Sequence, residues 1–413
     1  MTTILDTQAT AMDRWGFTEW LNNSRKNDDS YDPPVLDGAS NEIISIDGRK
    51  LVNFAGIGFL GWQQDAGVLD SFTKAVANYG LVTGGSRITQ GVAEPHRAVE
   101  SLLCQITGKQ RALTFGTGLL ANVGFVQGMS SRFSFDDQPG VNNADMVMVL
   151  DRDSHWSMWK AADRFELGRN LFTFRHNNVT HLRKVLEKLR GRRVVVGFET
   201  IYSADGTIAP IGEILDLCEE YGAVSYADDA NGFMVYGNGG YRFAKEYEEL
   251  RRATFIMMSF SKSVGLEGGA IVGPADGIEA LEYLSGTSMF TAAIQPPTAS
   301  AIEYVLRRMI DDPQIMGRYL DRVDSFRARL TQTGCVINET PSYITSITIG
   351  SDEIAKHLRK EFIKLGFLVP VFRYPAVKKN RAVIRLLLNA RISQEQEESF
   401  IDTLVNLKKK YDF

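Results

Sequence analysis

The sequence is poor in the residues that build metal centres and disulfides. Its 413 residues include only three cysteines and five histidines, too few and too scattered for a structural metal site. Cys104, Cys218 and Cys335 are expected to be free thiols in the core. The net charge of −4 creates no basic field that would favour nucleic acid. We therefore expect no metal, no disulfide and no nucleic-acid partner.

Long hydrophobic runs are lacking as well. None is long enough to span a membrane, and the first thirty residues lack the apolar centre of a signal peptide. These absences predict a cytoplasmic protein with no membrane span. With 44% hydrophobic and 23% charged residues, the composition is ordinary for a globular chain, and the length favours two domains.

Three regions differ in their residue pattern. Residues 1–64 are polar and turn-rich, with a hairpin expected around Asp47-Gly48, and they are predicted to form an N-terminal arm. Residues 65–294 are predicted to be the large domain. Residues 295–413 begin with a long helical stretch and are predicted to be a smaller C-terminal α/β domain.

The large region alternates short apolar runs with helical patterns, which is typical of a mostly parallel sheet covered by helices. Seven runs have strand length: 112–115, 146–150, 171–174, 194–198, 223–227, 254–258 and 270–272. Helical patterns lie at 95–107, 156–166, 178–190 and 211–221. In such sheets the ligand lies beyond the carboxyl ends of the strands.

A lysine stands at one of these strand ends. Lys262 follows the apolar run 253–258, lies next to Ser261 and close to Ser259, and precedes a glycine-rich turn. A lysine amine in such a place can hold an aldehyde cofactor as a Schiff base, with the hydroxyls near its phosphate. A solvated surface lysine is the alternative interpretation of this short motif.

Other strand ends carry complementary groups. Asp228 follows one run and could hold a cationic nitrogen, or could cap a turn. His155 follows another, and a Gly116-Thr117-Gly118 turn opens a helix whose N–H groups could bind phosphate. Together, an amine, an acid, an aromatic plate and a phosphate cradle predict pyridoxal 5′-phosphate as the cofactor.

The ordered motifs resemble those of one family, the α-oxoamine synthases. The matching segments are 83–87 with Gly91, His96 and Glu100, then 115–122, 174–178, 199–210, 228–231, 259–262 and 384–388. The resemblance implies a fold-type I pyridoxal-phosphate transferase with a mostly parallel seven-stranded sheet. It also implies an obligate homodimer, for which the arm would fit the interface.

The resemblance also implies roles for individual residues. Lys262 would carry the cofactor and act as acid and base, Asp228 would bond its pyridine nitrogen, and His155 would stack on its ring. Arg385 would clamp the carboxylate of an amino acid. Further cofactor contacts are expected from Thr117, Gly118, Leu119, Ser203, Asn231, Ser259, Ser261 and, reaching the partner subunit's cofactor, Thr291.

Among the positions that depart from the family pattern, two are expected near the reacting centre. Asn231 stands where a histidine usually contacts the phenolic oxygen of the cofactor, and it could donate a neutral hydrogen bond there. Gly56 begins a segment that usually carries an asparagine near the amino-acid substrate, and is therefore assigned to the substrate pocket. These departures favour a specialised biosynthetic pathway over a housekeeping one.

The resulting prediction is a decarboxylating C-acyltransferase. It would condense an amino acid with an acyl thioester, carried by coenzyme A or an acyl carrier protein, to give an α-amino ketone. Two alternatives stay open: an aminotransferase of the same fold, and a non-catalytic subunit of a heterodimer. The presence of Lys262 argues against the second alternative.

Overall fold

A computed structural model of the chain describes residues 14–27, 33–136, 138–236, 244–374 and 376–413. The strands are β1 Ile43–Ile46, β2 Arg49–Asn53, β3 Arg111–Phe115, β4 Arg132–Phe133, β5 Val141–Asn142, β6 Val147–Asp151, β7 Leu171–Phe174, β8 Val194–Glu199, β9 Val224–Asp228, β10 Phe255–Ser259, β11 Gly269–Gly273, β12 Ile344–Gly350, β13 Phe367–Leu368, β14 Val371–Phe372 and β15 Ala382–Leu387. The helices are α1 Phe17–Lys26, α2 Ala66–Tyr79, α3 Glu94–Thr107, α4 Gly118–Met129, α5 Trp156–Ala161, α6 Val179–Lys188, α7 Ile211–Tyr221, α8 Ala244–Glu249, α9 Ala275–Leu284, α10 Gly286–Met289, α11 Pro296–Asp311, α12 Gln314–Gln332, α13 Asp352–Lys364 and α14 Gln394–Tyr411.

A seven-stranded sheet forms the centre of the molecule, in the order β3-β11-β10-β9-β8-β6-β7. The strands from β10 to β7 are parallel to their neighbours, and only β11 is antiparallel to both β10 and β3. Every residue of β6 and β8 is buried, because helices cover both faces and the strands read as continuous apolar runs. The predicted fold class, including the seven strands, is confirmed.

The predicted hairpin is present, and it joins the C-terminal part of the chain. Asp47 and Gly48 have φ of 51° and 70°, the left-handed pair that a two-residue hairpin turn requires. Strand β2 then pairs in parallel with β13, and the Phe54 ring lies 4.3 Å from that of Phe400 in α14. This part of the predicted arm therefore packs into the core of the C-terminal region.

The C-terminal region has its own sheet, ordered β12-β15-β14. Helix α13 packs on this sheet, and α14 packs on α13. The last helix starts with a capping box, in which Ser393 accepts from the Gln396 N–H and the Gln396 side chain accepts from the Ser393 N–H. The long helix α11 packs against α2 and α3 and leads from the central sheet to this region. The domain limits proposed from the sequence, at 64 and 294, stay a prediction.

One predicted helix is shorter than expected. The pattern at 156–166 indicated a helix of eleven residues, but α5 ends at Ala161. The Glu166 N–H is donated to the Asn170 side chain at 2.7 Å, and Gly168 has φ of 85°. Directly after Ala161 the bonds span three residues and not four, from the Asp163 N–H to the Lys160 carbonyl and from the Phe165 N–H to the Ala162 carbonyl, so the α-helical ladder stops before this turn.

The described residues contain neither a membrane-spanning helix nor a cluster of metal ligands. No helix among them is long and apolar enough to cross a bilayer. No group of three or more His, Cys, Asp or Glu side chains in the same ranges lies close enough to hold a metal ion. Cys104, Cys218 and Cys335 are free thiols.

Candidate active site

A cavity of about 420 Å³ opens at the carboxyl edge of the central sheet. Residues at the ends of β8, β9 and β10 line it together with the first turn of α4, the start of α5 and part of β14 and β15. Its lining includes nine residues predicted for the site: Thr117, Gly118, Leu119, His155, Ser203, Asp228, Asn231, Ser259 and Ser261. Lys262 and Arg385 line it as well, so the fold brings together groups that are up to 268 residues apart (117 to 385).

Lys262 lies in the turn that connects β10 to β11. The turn is held by a hydrogen bond from the Phe260 N–H to the Gly268 carbonyl at 3.1 Å, with Gly268 at φ of 122°. Burial lowers the pKa of Lys262 to about 8, the Arg385 charge lowers it too, and Asp228 and Glu199 act in the opposite direction. A substantial fraction of the amine is therefore neutral near pH 8 and can attack a carbonyl.

Asp228 ends β9 and is 3% exposed. Its Oδ2 accepts from Asn122 Nδ2 at 3.1 Å and its Oδ1 from the Ala230 N–H at 3.1 Å. Burial raises the pKa of Asp228, while these two bonds and the nearby His155 and Lys262 favour its charged form. An additional cation in the cavity, such as a protonated ring nitrogen, would favour the carboxylate further.

His155 is the N-cap residue of α5. Its backbone N–H donates to Glu199 Oε1 at 2.6 Å, which fixes the loop after β6 against the end of β8. Burial lowers the pKa of His155, although the Asp228 carboxylate raises it. The ring is therefore a neutral, flat surface on the wall of the cavity, which suits stacking on an aromatic ligand.

The first turn of α4 packs closely on β10 and β11. A Cβ atom on Gly118 would lie 3.1 Å from Ser259 Cβ, and one on Gly269 would lie 2.7 Å from the Gly118 nitrogen. The Ser259 and Ser261 hydroxyl oxygens are 2.9 Å apart. Thr117 Oγ1 accepts from the Leu120 N–H. The N–H groups of Gly118 and Leu119, also in the first turn, have no partner within the helix and could bind an anion there.

Arg385 projects from β15 and is 7% exposed. Its Nη1 donates to the Ser203 carbonyl at 3.4 Å, and the guanidinium carbon lies 4.8 Å from the centre of the Phe372 ring. Its Nε has no hydrogen-bond partner among the described residues. A buried guanidinium with a free donor is suited to a carboxylate ligand.

Three of the predicted site residues behave differently from the rest. Asn231 lines the cavity, but its Nδ2 donates to the Ile201 carbonyl at 3.2 Å. Its Oδ1 lacks a partner in the described ranges, so the free group of this amide is an acceptor and not the expected donor. Gly56 does not line the cavity of its own chain, and its N–H donates to Asn53 Oδ1 at 3.0 Å. Thr291 is exposed and lies outside the cavity of its own chain.

The structure adds residues that the sequence analysis did not assign to the site. Asn122 in α4 and Ser157 in α5 connect Asp228 to His155 by hydrogen bonds. The Tyr226 hydroxyl in β9 donates to Asn122, and Phe372 stacks on Arg385. One signal could have revealed Asn122, because it is the polar residue in an otherwise apolar stretch at 119–126. A polar side chain at a buried helix position needs a partner.

A family model described as aminotransferase class I and II matches residues 145–404. The chain belongs to this family. An 8-amino-7-oxononanoate synthase from Methylorubrum extorquens (strain PA1) is 31% identical over 364 residues, 87% of each chain. Another from Alkaliphilus metalliredigens is 24% identical over 392 residues, 94% of this chain and 95% of that protein.

Solved structures of two named enzymes share the fold. A serine palmitoyltransferase from S. paucimobilis superposes with a TM-score of 0.85 at 23% identity, covering 96% of this chain and 98% of the other. An 8-amino-7-oxononanoate synthase from Francisella tularensis gives a TM-score of 0.71 at 16% identity, covering 88% of this chain and 99% of the other. The relatives confirm the resemblance to the α-oxoamine synthases.

The cavity residues fit pyridoxal 5′-phosphate, the cofactor of this family. The start of α4 lies on the cavity wall beside the hydroxyls of Ser259 and Ser261, and N–H groups at a helix start together with hydroxyls suit a phosphate. Lys262 supplies an amine whose pKa is about 8, and Asp228 supplies a buried carboxylate. The donor set therefore matches the phosphate, aldehyde and ring nitrogen of the cofactor.

Proposed function

We propose that this protein is a pyridoxal-phosphate-dependent synthase that condenses an amino acid with an acyl thioester, with loss of CO₂, to give an α-amino ketone. One observation carries the proposal: Arg385, with a free donor, lines the same cavity as Lys262 and Asp228. A site with a carboxylate clamp beside the reactive lysine can hold an α-amino acid with its Cα near that lysine. The named relatives are consistent with this chemistry.

When bound, pyridoxal phosphate supplies an electron sink for the pair left behind when the Cα proton is removed. The protein then has three tasks. Asp228 would accept a hydrogen bond from the ring nitrogen and favour its protonated form. Lys262 takes the proton from Cα and can return it later, since an acid–base group works best with a pKa close to the working pH. Arg385 holds the carboxylate until the acyl group has been transferred.

The overall reaction balances with these groups alone. Cα loses its proton and forms a bond to the thioester carbonyl carbon, and the thiolate leaves. The Cα–carboxylate bond then breaks, CO₂ departs, and Cα regains a proton. One amino acid and one thioester give one amino ketone, one CO₂ and one thiol. His155 and Phe372 lie on the wall of the same cavity.

The finer features of the function are part of the same proposal. The thioester would be carried by coenzyme A or an acyl carrier protein, and the enzyme would act as a cytoplasmic homodimer in a specialised biosynthetic pathway. Thr291 is exposed next to Phe290, which is 85% exposed, and both would be covered in such a dimer. There Thr291 would contact the partner subunit's cofactor.

A carboxyl-labelled amino acid tests the reaction type. The enzyme should release labelled CO₂ and free thiol in equal amounts, and only when an acyl thioester is present. Formation of a 2-oxo acid without CO₂ would instead identify the aminotransferase alternative. Absence of any turnover by the homogeneous protein, with activity restored by a second chain, would identify the non-catalytic subunit. The relatives favour neither alternative.

A further inference from the structure

A chain of hydrogen bonds lies beneath the cavity and connects Asp228 with His155. The Tyr226 hydroxyl and Asn122 Oδ1 are 2.6 Å apart. Asn122 Nδ2 lies 3.1 Å from Asp228 Oδ2 and 2.9 Å from Ser157 Oγ. Ser157 Oγ in turn lies 2.8 Å from His155 Nδ1. Two uncharged side chains, Asn122 and Ser157, thus join the residue assigned to ring stacking, His155, to the residue assigned to the ring nitrogen, Asp228.

The direction of the first bonds follows from the chemistry of Asn122. If its amide were rotated, the carbonyl oxygen would face the Asp228 carboxylate, and two acceptors would be opposed. With the orientation observed, Oδ1 accepts from Tyr226, whose phenol stays protonated because burial raises its pKa well above the ordinary value. Asn122 Nδ2 therefore uses one hydrogen for Asp228 and the other for Ser157.

The direction continues from Ser157 to His155. Ser157 Oγ accepts from Asn122, so its own hydrogen is available for His155 Nδ1 at 2.8 Å. The Ser157 backbone N–H points at the same ring nitrogen from 3.2 Å, and a backbone N–H can only donate. Two donors on one nitrogen mean that Nδ1 is an acceptor, so the ring proton of a neutral His155 is on Nε2.

We propose that Asn122 and Ser157 are positioning residues that hold His155 in the Nε2-protonated tautomer and hold Asp228 as a hydrogen-bond acceptor. A ring that is neutral and fixed in one tautomer presents a constant face to a stacked ligand. Asn122 and the Ala230 N–H each use one lone pair of Asp228, on Oδ2 and Oδ1 respectively, so one lone pair on each oxygen remains for a group in the cavity.

Ring-labelled histidine tests the tautomer in the full-length protein. The chain has only five histidines, so nitrogen NMR of histidine-labelled protein is simple, and a His155→Gln variant assigns the signals. At neutral pH, with pyridoxal phosphate bound or removed, we expect a protonated Nε2 and an unprotonated Nδ1. A proton on Nδ1, or a doubly protonated ring, would overturn the proposal.

A pair of serine variants separates positioning from folding. Ser157→Ala removes one of two donors to Nδ1, and the population of the other tautomer should rise about fivefold. Ser154→Ala is the matched control, because Ser154 Oγ is buried and has no partner in the described ranges. Identical His155 spectra for the two variants would show that Ser157 has no positioning role.

The Asn122→Leu variant tests the bond from Asn122 to Asp228 and keeps a side chain of similar size. It removes the donor to Asp228, and the dissociation constant for pyridoxal phosphate should rise roughly tenfold to a hundredfold. An unchanged constant in a folded variant would contradict the role given to Asn122. This branch rests on the proposed function, whereas the tautomer of His155 does not. A protein that binds no cofactor, yet shows the expected tautomer, would refute only the proposed function.

Discussion

The sharpest test of the site is the replacement of Asp228 by asparagine. The carboxylate lies at the end of β9, is 3% exposed and faces the cavity beside His155 and Lys262. The amide of the Asp228→Asn variant would keep the shape and could still accept a hydrogen bond, but it could not balance a positive charge on a ring nitrogen. We expect the protein to remain folded and turnover to fall sharply.

The size of the expected loss in kcat follows from the burial of the charge pair that Asp228 would form with the ring nitrogen. Removing one member of a buried charge pair costs about 3–5 kcal/mol. At about 1.4 kcal/mol for each factor of ten in rate, kcat should fall between roughly a hundredfold and a few thousandfold. The assay is thiol release from an acyl thioester, measured with cofactor at saturation so that weaker binding is not mistaken for slower chemistry.

The neighbouring Asp229 supplies the matched control. It is equally buried, but its Oδ1 accepts from Thr200 at 2.6 Å and from Tyr247 at 3.2 Å, and it does not line the cavity. Burial raises its pKa to about 8, so it is largely uncharged at neutral pH and Asp229→Asn should change kcat only a few-fold. Turnover within tenfold of wild type for Asp228→Asn, or equal losses for both variants, would refute the reasoning.

The remaining predictions concern Lys262, Arg385 and Gly56. Borohydride reduction of the cofactor-loaded protein should attach the reduced cofactor to Lys262 alone, and the Lys262→Ala variant should carry no label. A label on another lysine would refute the assignment. Burial lowers the pKa of Lys262 to about 8, and only the neutral amine attacks the aldehyde. The rate at which the cofactor-free protein captures pyridoxal phosphate should therefore rise about tenfold per pH unit below pH 8 and level off above it. A capture rate that does not depend on pH would contradict this. Arg385→Lys should raise the KM for the amino acid about tenfold or more while affecting the thioester KM little, and equal changes in both would show that Arg385 is not the carboxylate clamp. Gly56 does not line the cavity of its own chain, so Gly56→Asn should alter amino-acid preference only if a partner subunit brings it to the site, which substrate competition would reveal.

Much of the fold was predictable because its strands are buried on both faces. Runs such as 146–150 and 194–198 are apolar at every position, and they correspond to β6 and β8, which are buried throughout. The pairing of β2 with β13 was not predictable. Strand β13 has only two residues, and nothing in a two-residue pattern identifies a partner more than 300 positions away (52 to 367).

The sequence located those candidate site residues that directly follow a strand. It did not predict side-chain orientations that depend on a hydrogen bond to a distant loop. Lys262, Asp228 and His155 each stand just after an apolar run, so the general rule for parallel sheets located them. The direction of the Asn231 amide depends on the Ile201 carbonyl, which receives its Nδ2 at 3.2 Å. Such a contact depends on the path of another loop, and residue identity alone does not carry that information.

The two adjacent carboxylates at the end of β9 show how position, and not residue type, sets chemical role. Successive residues of a strand point to opposite sides, so Asp228 faces the cavity while Asp229 faces the packed side, against Thr200 and Tyr247. Burial raises the pKa of both. Only Asp228 lies close to His155 and Lys262, which favour its charged form, and it also receives the Asn122 amide. The same residue type can therefore act as a charged partner on one side of the strand and as a neutral structural group on the other.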